Sequence, residues 1–507
     1  MMSAARYRWP EAALLSLMIA AVMTACRGPA GATDTLRVGL ASDLVALDRA
    51  KVSDAISWSV LANLQENLTE LSPDDRQPRP ALSEGWKQSP DGQDYVFTLR
   101  DGVRFHNGDL LRAADVAYSF RRFLDPKTAA PVRQWLSAVE SVKVLNDREI
   151  AVHLRSPEPG FLTTLSVVPG IVPEGWGEKG PEEKPVGTGP FQFVRWERGK
   201  QLELSRFDSY WRGKAKSARV VFQVIPTENA RVLALKASET DLVLSNSLSL
   251  ANVEDLTQQG FRLFENPVAG LQYLAGDSSR PPFSNVHFRR ALAHAIDRQG
   301  IVQRLFHGRV MPAPGPLPAV FRESAGIRQI EYSRTEAQRE LAMSGVHLRA
   351  DAPLELSYGT EWPWNEQLAE VLQADLQAVG IPVKPRKYEW SSFVSGLFDK
   401  RYTFFTVDLF AGNGSYSLFL GDIFETGSPL NFFRYSNRDF DQAWRAAVAG
   451  QGEDREAALH RAQQVLADDA AAVFLFGAKG GFLTAPRVRG VTMGPLQELL
   501  LREATRE

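Results

Sequence analysis

The stretch Tyr95–Gly108, with the sequence YVFTLRDGVRFHNG, says most about the fold of this 507-residue chain. Apolar and polar residues alternate in Tyr95–Leu99 and again in Val103–His106, and the pair Asp101-Gly102 lies between the two runs. Alternation with a period of two predicts strands, and Asp-Gly between two such runs favours a tight turn. The stretch therefore predicts a β-hairpin.

Helical patterns lie on both sides of this hairpin. Residues 113–124 (AADVAYSFRRFL) place their apolar side chains on one face of a helix that ends at Asp125-Pro126. Apolar residues at helical spacing predict further helices at 58–71, at 288–306 with a break at Asp297-Arg298, and at 366–379. Gly380 ends the last helix, and the two prolines of 381–387 predict a strand at a sheet edge. The mixture of strands and helices predicts an α/β protein.

The composition is that of a globular protein with more than one domain. Hydrophobic residues make up 44% and charged residues 23% of the chain, which excludes extensive disorder. The net charge of −2 provides no electrostatic reason to expect a nucleic acid as partner. At about 100–200 residues per domain, the length predicts roughly two to four domains.

The N-terminus carries the features of an export signal. Ala12–Met23 (AALLSLMIAAVM) is apolar, follows two arginines and precedes small residues and Cys26. A span of the bilayer needs about 20 apolar residues, so the run predicts a secretory signal peptide over 1–25, with a short membrane helix as the alternative. The ending Met-Thr-Ala-Cys resembles a bacterial lipobox. We therefore expect lipidation at Cys26, the single cysteine, a tether over 26–35, and an extracytoplasmic protein held at a membrane.

Motifs for catalysis or for metal binding are missing from the sequence. It contains no H-E-x-x-H, no cysteine pair and no G-x-S-x-G, and the G-x-G-x-x-G match at 175–180 is followed by prolines instead of a helix. We therefore expect no metal, no cofactor and no enzymatic activity. Three segments combine aromatic residues with loop residues: 362–364, 389–393 and 410–416. Such segments suit a small-molecule or peptide cleft, although each aromatic ring could equally pack in a core.

Several motifs in a fixed order resemble family 5 extracellular solute-binding proteins, the dipeptide-, oligopeptide- and nickel-type receptors of ABC importers. The resemblance spans nearly the whole chain after the signal peptide. Its motifs are Leu82–Trp86, Ser89–Gly92, Tyr95–Gly108, Ala114–Phe120, Val186–Phe191, Tyr210–Gly213, Phe288–Leu292, Ala295–Asp297, Gly308, Leu376 with Val379–Ile381, and Tyr435–Asn437 with Asp441.

This resemblance implies a class II periplasmic-binding-protein fold, an α/β architecture with three lobes. Lobe I would comprise 36–71, 185–268 and 478–507, lobe II 72–184, and lobe III 269–477. The crossings between lobes I and III are expected near 266–271 and 470–477. The resemblance further implies a monomer that encloses its ligand between lobes I and III by hinge closure and delivers it to a permease with ATPase subunits.

The resemblance also suggests where a ligand would bind. The ligand contacts that it implies are Ser42, Asp48, Asn246, Ser247, Tyr273, Trp390, Asn413 and Tyr416. Gly412 falls where peptide receptors of this family often carry an aspartate that holds the peptide ammonium. Either Asp408 or Asp422 substitutes for that acid, or the ligand has no free amine there. We expect a peptide or peptide-like solute, and the alternative is a sensor or chaperone-like receptor that binds a non-peptide solute without transport.

Overall fold

The computed structural model describes residues 34–72, 76–178, 184–360, 364–494 and 497–507, and it is mixed α/β. The predicted signal peptide, Cys26 and nearly all of the predicted tether lie outside the described residues, as do Trp362 and Pro363. Within the described ranges, no helix has both the length and the apolar character that a membrane span requires.

A large mixed sheet of eleven described strands passes through proposed lobes I and III. Ten of them lie side by side in the order Val383–Tyr388, Leu354–Gly359, Phe404–Phe410, Arg262–Gly276, Val473–Thr484, Leu242–Leu244, Thr35–Leu40, Arg219–Val224, Gln201–Arg206 and Phe191–Glu197. The eleventh, Met311–Pro312, pairs with Val473–Thr484. Arg262–Gly276 and Val473–Thr484 are antiparallel neighbours, and their register is irregular between Pro267 and Leu271. The predicted edge position of 381–387 is confirmed by Val383–Tyr388.

Proposed lobe II contains a second, antiparallel sheet. Its strands lie in the order Ser83–Gln88, Asp94–Leu99, Glu149–Leu154 and Val139–Val144. The predicted strand at 103–106 is wrong, because both edges of Asp94–Leu99 are already occupied by Ser83–Gln88 and Glu149–Leu154. Residues 103–111 instead fold onto themselves, with Leu111 N donating to Val103 O and Phe105 N to Asp109 O, both at 2.9 Å.

The described helices include those predicted at 113–124, 288–306 and 366–379. They are Ala55–Leu61, Ala113–Leu124, Phe161–Thr164, Glu228–Lys236, Leu250–Gln258, Val286–Ala295, Arg298–Phe306, Arg334–Ser344, Asn365–Gln377, Trp390–Phe398, Arg438–Ala449 and Gly452–Asp468. The prediction of a helix over 58–71 is wrong beyond Leu61. There the Asn63 amide binds the C-terminal segment, donating to Leu499 O at 2.7 Å and accepting from Leu501 N at 3.0 Å, so the chain turns away from the helix axis.

Buried apolar side chains fall into separate groups along the chain. One large cluster is built from residues between Leu36 and Val268 and again between Phe482 and Ala504. Two other clusters are built from residues between Ala269 and Phe476. These clusters support the proposed boundary of lobe III, because separate cores allow one body to move against the other, whereas proposed lobes I and II share one cluster.

Candidate functional site

The loop after the strand Phe404–Phe410 is the place where the three proposed lobes meet. A Cβ added to Gly412 of lobe III would lie 2.8 Å from Cη2 of Trp135 in lobe II and 3.4 Å from Cη2 of Trp58 in lobe I. The centroids of the two indole rings are 5.5 Å apart, with 51° between their planes. The junction is therefore apolar, and it has no room for a side chain at position 412 while the lobes are in contact.

Trp58 also carries a buried polar atom without a partner. Its side chain is 3% exposed, and its Nε1 has no hydrogen-bond partner among the described residues. A buried donor without a partner costs about 1–3 kcal/mol. The indole N–H is therefore a donor that the described residues leave unused, although Trp58 lines neither of the cavities described below.

Direct hydrogen bonds join lobes II and III beside this junction. Glu158 Oε1 accepts from Ser417 Oγ at 3.2 Å, and it also accepts from the nearby Gly160 N at 3.3 Å. Arg455 Nη2 donates to Pro159 O at 3.0 Å. The two lobes must lose these bonds in order to separate.

A close backbone approach accompanies these bonds. A Cβ added to Gly160 would lie 2.5 Å from Cβ of Ser415 and closer still to its Oγ. Gln451 Nε2 adds a bond across the same boundary, to Pro90 O at 2.8 Å. Position 160 therefore requires glycine for the approach of another lobe.

The environment of this boundary changes the proton affinity of two groups. Burial raises the pKa of the Glu158 carboxyl, and the negative charge of the nearby Asp422 also raises it. Hydrogen bonds from Gly160 and Ser417 and the positive charge of Arg455 lower it, but their effect is smaller. Burial also raises the pKa of the Tyr416 hydroxyl, while Arg455, which donates to it, acts in the opposite direction. Both groups therefore hold their protons more strongly here than they would in water.

Two cavities lie along the boundaries of proposed lobe III. The first, of about 160 Å³, is lined by residues of all three proposed lobes, among them Leu71, Arg76, Leu162, Ala269, Phe321, Glu323, Tyr416 and Arg455. The second, of about 260 Å³, lies between lobes II and III and is lined by Gln88, Tyr95, Glu158, Gln451 and Arg455, among others. The first cavity combines aromatic walls with charged groups, as small-molecule sites do.

Two of the eight ligand contacts suggested by the sequence lie in this region. Tyr416 lines the first cavity, and its ring stands edge-on to Phe321 at 6.1 Å between centroids. Asn413 lies next to Gly412, and its Oδ1 accepts from Ser415 N at 3.1 Å, which shapes the loop. These two positions remain part of the proposed site.

Asp48 and Tyr273 are used inside the protein in this arrangement. Asp48 forms an ion pair with Arg122, with Nη1 to Oδ1 at 3.0 Å, and it accepts from Ala50 N at 3.1 Å. Tyr273 is fully buried in an aromatic core, with Phe433 and Phe474 at 5.8 and 5.9 Å between centroids. Neither side chain faces the two cavities.

The other four suggested contacts lie outside the lining of both cavities. Ser42 is exposed after the strand Thr35–Leu40. Asn246 donates to Gln497 Oε1 at 3.1 Å, and Ser247 Oγ donates to Leu244 O at 2.7 Å. Trp390 is 37% exposed at the start of its helix. The structure does not bring these four together with Tyr416.

The possible substitutes for an acid at position 412 differ in position. Asp408 lies in the strand Phe404–Phe410 opposite Gln272, whereas Asp422 ends the turn Leu418–Asp422 close enough to the boundary for its charge to act on Glu158. Sequence reasoning missed Trp58, Trp135 and Arg455. Each comes from a different lobe and has no local pattern that could have indicated its role.

Comparisons with known proteins agree with this architecture. Residues 77–430 match the family described as bacterial extracellular solute-binding proteins, family 5 Middle. Heme-binding protein A of Haemophilus influenzae is 27% identical over 461 residues, 84% of this chain and 84% of that protein. Dipeptide-binding protein DppE of Bacillus subtilis is 26% identical over 490 residues, 89% of this chain and 88% of that protein.

Solved structures show the same fold. HbpA2 of Haemophilus parasuis superposes with a TM-score of 0.84 at 23% identity, over 93% of this chain and 100% of that chain. The murein tripeptide binding protein MppA, in an unliganded open form, superposes with a TM-score of 0.82 at 21% identity, over 94% of this chain and 99% of that chain. The expected class II periplasmic-binding-protein fold is confirmed. The chain therefore belongs to family 5 of the bacterial extracellular solute-binding proteins.

Proposed function

We propose that this chain is the extracytoplasmic receptor of a peptide-type ABC importer. It encloses a peptide or peptide-like solute between lobes I and III and passes it unchanged to a permease that works with ATPase subunits. The observation that carries the proposal is the 160 Å³ cavity lined by residues of all three lobes, beside the junction at Gly412. The matched relatives, named as binding dipeptides, di- and tripeptides and heme, support a role in solute binding.

The junction at Gly412 bears on the chemistry of the solute. Trp135 and Trp58 cover this position with their indole rings. Holding an ammonium there without an acid would be costly, because a buried charge needs a partner. The arrangement supports a solute that presents no free amine to this junction.

A non-peptide solute is the second candidate. It is favoured by the same absence of an acid at position 412 and by the relative named for heme binding. In that case the chain would act as a sensor or chaperone-like receptor without transport.

The membrane attachment is a separate part of the proposal. Cys26 would carry the lipid, and 26–35 would tether a monomeric receptor to the membrane surface. Incorporation of radiolabelled palmitate into the wild-type chain in bacterial cells, and its loss in Cys26→Ser, is the expected result. Equal labelling of both chains would contradict the anchor.

The solute can be identified by native mass spectrometry of the Cys26→Ser protein, followed by denaturing release of what co-purifies. We expect blocked peptides or peptide-like compounds of narrow mass range. Peptides with free N-termini would refute the argument from Gly412, and a single non-peptide compound would favour the second candidate. The variant Tyr416→Phe, which loses the hydroxyl in the 160 Å³ cavity, should retain less of the compound than the control Trp390→Phe.

A further inference from the structure

A buried arginine without a partner lies in lobe I. Arg49 is 4% exposed, and its guanidinium has no ion pair and no hydrogen bond among the described residues, with Nε fully enclosed. Its backbone N–H, by contrast, donates to Gln65 Oε1 at 3.3 Å. Burial lowers the pKa of Arg49 to about 10, although the Glu498 charge opposes this effect. A buried cation left in this way is costly unless an anion joins it.

The stem of Arg49 is held in place by its neighbours. A Cβ added to Gly170 would lie 2.8 Å from Cβ and 3.0 Å from Cδ of Arg49, so this glycine packs directly on the stem. The preceding residue, Asp48, is fixed by its ion pair with Arg122. The guanidinium is therefore presented in one place, as a binding residue must be.

Arg49 lines a cavity of about 350 Å³ beside the end of the helix Ala55–Leu61. Leu71, Leu500 and Leu501 contribute apolar wall, and Asn67 and Ser166 contribute polar wall. Its lining contains residues of lobe I and a few of lobe II, and none from 269–477. The cavity shares Leu71 with the 160 Å³ cavity but contains no residue of proposed lobe III, so its use does not depend on closure or on the proposed transport function.

Most of the other charged groups on the wall already have partners. They are Glu66, which accepts from Thr188, Tyr210 and Trp211 at 2.8–2.9 Å; Glu70, paired with Arg212 at 2.7 Å; and Glu503, paired with Arg502 at 2.9 Å. Glu498 also lies on this wall, is 8% exposed and acts on Arg49 through its charge, but the two side chains form no ion pair or hydrogen bond among the described residues. Arg49 therefore has a carboxylate in its surroundings but no direct partner in the described part of the chain. The carboxylates around it would repel a multiply charged anion more strongly than a singly charged one.

We propose that this cavity binds a small organic monocarboxylate, with its carboxylate on the guanidinium of Arg49 and its hydrocarbon part against Leu71, Leu500 and Leu501. The planar guanidinium matches a carboxylate in a bidentate geometry. The apolar wall favours an organic acid over an inorganic anion.

Calorimetric titration of the Cys26→Ser protein with benzoate tests the proposal, with benzamide as the uncharged ligand of the same shape. We expect benzoate to bind, benzamide to bind at least tenfold more weakly, and Arg49→Met to weaken benzoate binding at least tenfold. Arg49→Lys should recover part of the affinity, and Arg133→Met, which removes an exposed arginine, should change nothing. Equal binding of benzoate to wild type and to Arg49→Met, no binding of benzoate to wild type, or a preference for inorganic phosphate would each overturn the proposal.

Crystals of the Cys26→Ser protein soaked in 4-bromobenzoate supply a measurement that does not depend on the folding of a variant. Anomalous scattering from bromine inside this cavity, with the carboxylate on Arg49, is the expected result. Bromine only at other sites, or at none, would refute the assignment.

Discussion

Replacing Gly160 by alanine should hinder the contact between lobes II and III without disturbing either lobe. Gly160 has φ −93° and ψ 8°, a backbone that L residues can adopt, so alanine meets no local strain. The added Cβ would lie 2.5 Å from Cβ of Ser415, well inside the ordinary carbon–carbon separation of about 3.5–4.0 Å. Rotation of the Ser415 hydroxyl cannot relieve a clash with its Cβ, so the lobes must move apart.

The size of the effect follows from overpacking. Extra atoms in a tightly packed place cost about 1–3 kcal/mol. This cost applies only to the closed arrangement, so the ratio of closed to open molecules should fall roughly 5- to 150-fold. The affinity for any solute that is bound by closure should fall by the same factor.

Energy transfer between two dyes can measure this change, because Cys26 is the single cysteine and Cys26→Ser provides a background free of thiols. Labels at Lys143→Cys in lobe II and Arg461→Cys in lobe III occupy exposed positions. Gly160→Ala should shift the population toward low transfer efficiency, while thermal unfolding changes little.

Two controls make the result specific to closure. Gly85→Ala adds the same methyl group in lobe II where no atom lies within 4 Å, and it should leave the energy transfer unchanged. Adding Ser415→Gly to Gly160→Ala removes the opposing side chain and should restore the closed population. A Gly160→Ala protein that behaves like Gly85→Ala would refute the reasoning.

Three further predictions concern stability and pH. Arg122→Met should lower the free energy of unfolding in urea by about 3 kcal/mol, because Asp48 is then buried without its ion pair; a loss below about 1 kcal/mol would contradict this. Burial lowers the pKa of His106 from 6.5 to about 4, so the unfolded chain binds the proton more readily, and the free energy of unfolding should fall by up to about 3 kcal/mol as the pH drops from 6.5 to 4. His106→Gln should flatten that profile, and an unchanged slope would disprove the assignment. Burial raises the pKa of Glu158, so the closed population in the dye assay should grow as the pH falls through that raised pKa and shrink as the pH rises. Glu158→Gln should remove this pH dependence. If the pH dependence persists in Glu158→Gln, another group is responsible for it.

Sequence reasoning succeeded where local pattern alone decides the structure. The helix Ala113–Leu124 and the pair Val286–Ala295 and Arg298–Phe306 follow directly from apolar spacing and from the residues that end each helix. The ordered motifs also led to the family. Both successes rest on signals contained within a few consecutive residues.

The same reasoning failed where a distant segment competes for the backbone. The predicted hairpin lost its second strand because Ser83–Gln88 and Glu149–Leu154 already occupy both edges of Asp94–Leu99. The predicted helix at 58–71 ended early because the Asn63 amide binds the C-terminal segment. In each case a tertiary hydrogen bond replaced the local one that the pattern favoured.

The sequence by itself determined the family, the α/β class and the loop at 410–416, but only the tertiary structure decided what surrounds that loop. Gly412 lies against Trp58 and Trp135, and Gly160 lies against Ser415, although nothing in the neighbouring sequence distinguishes these residues. Neither glycine is required by its own backbone angles. Each is required because another lobe approaches it closely, and such an approach depends on the packing of whole lobes.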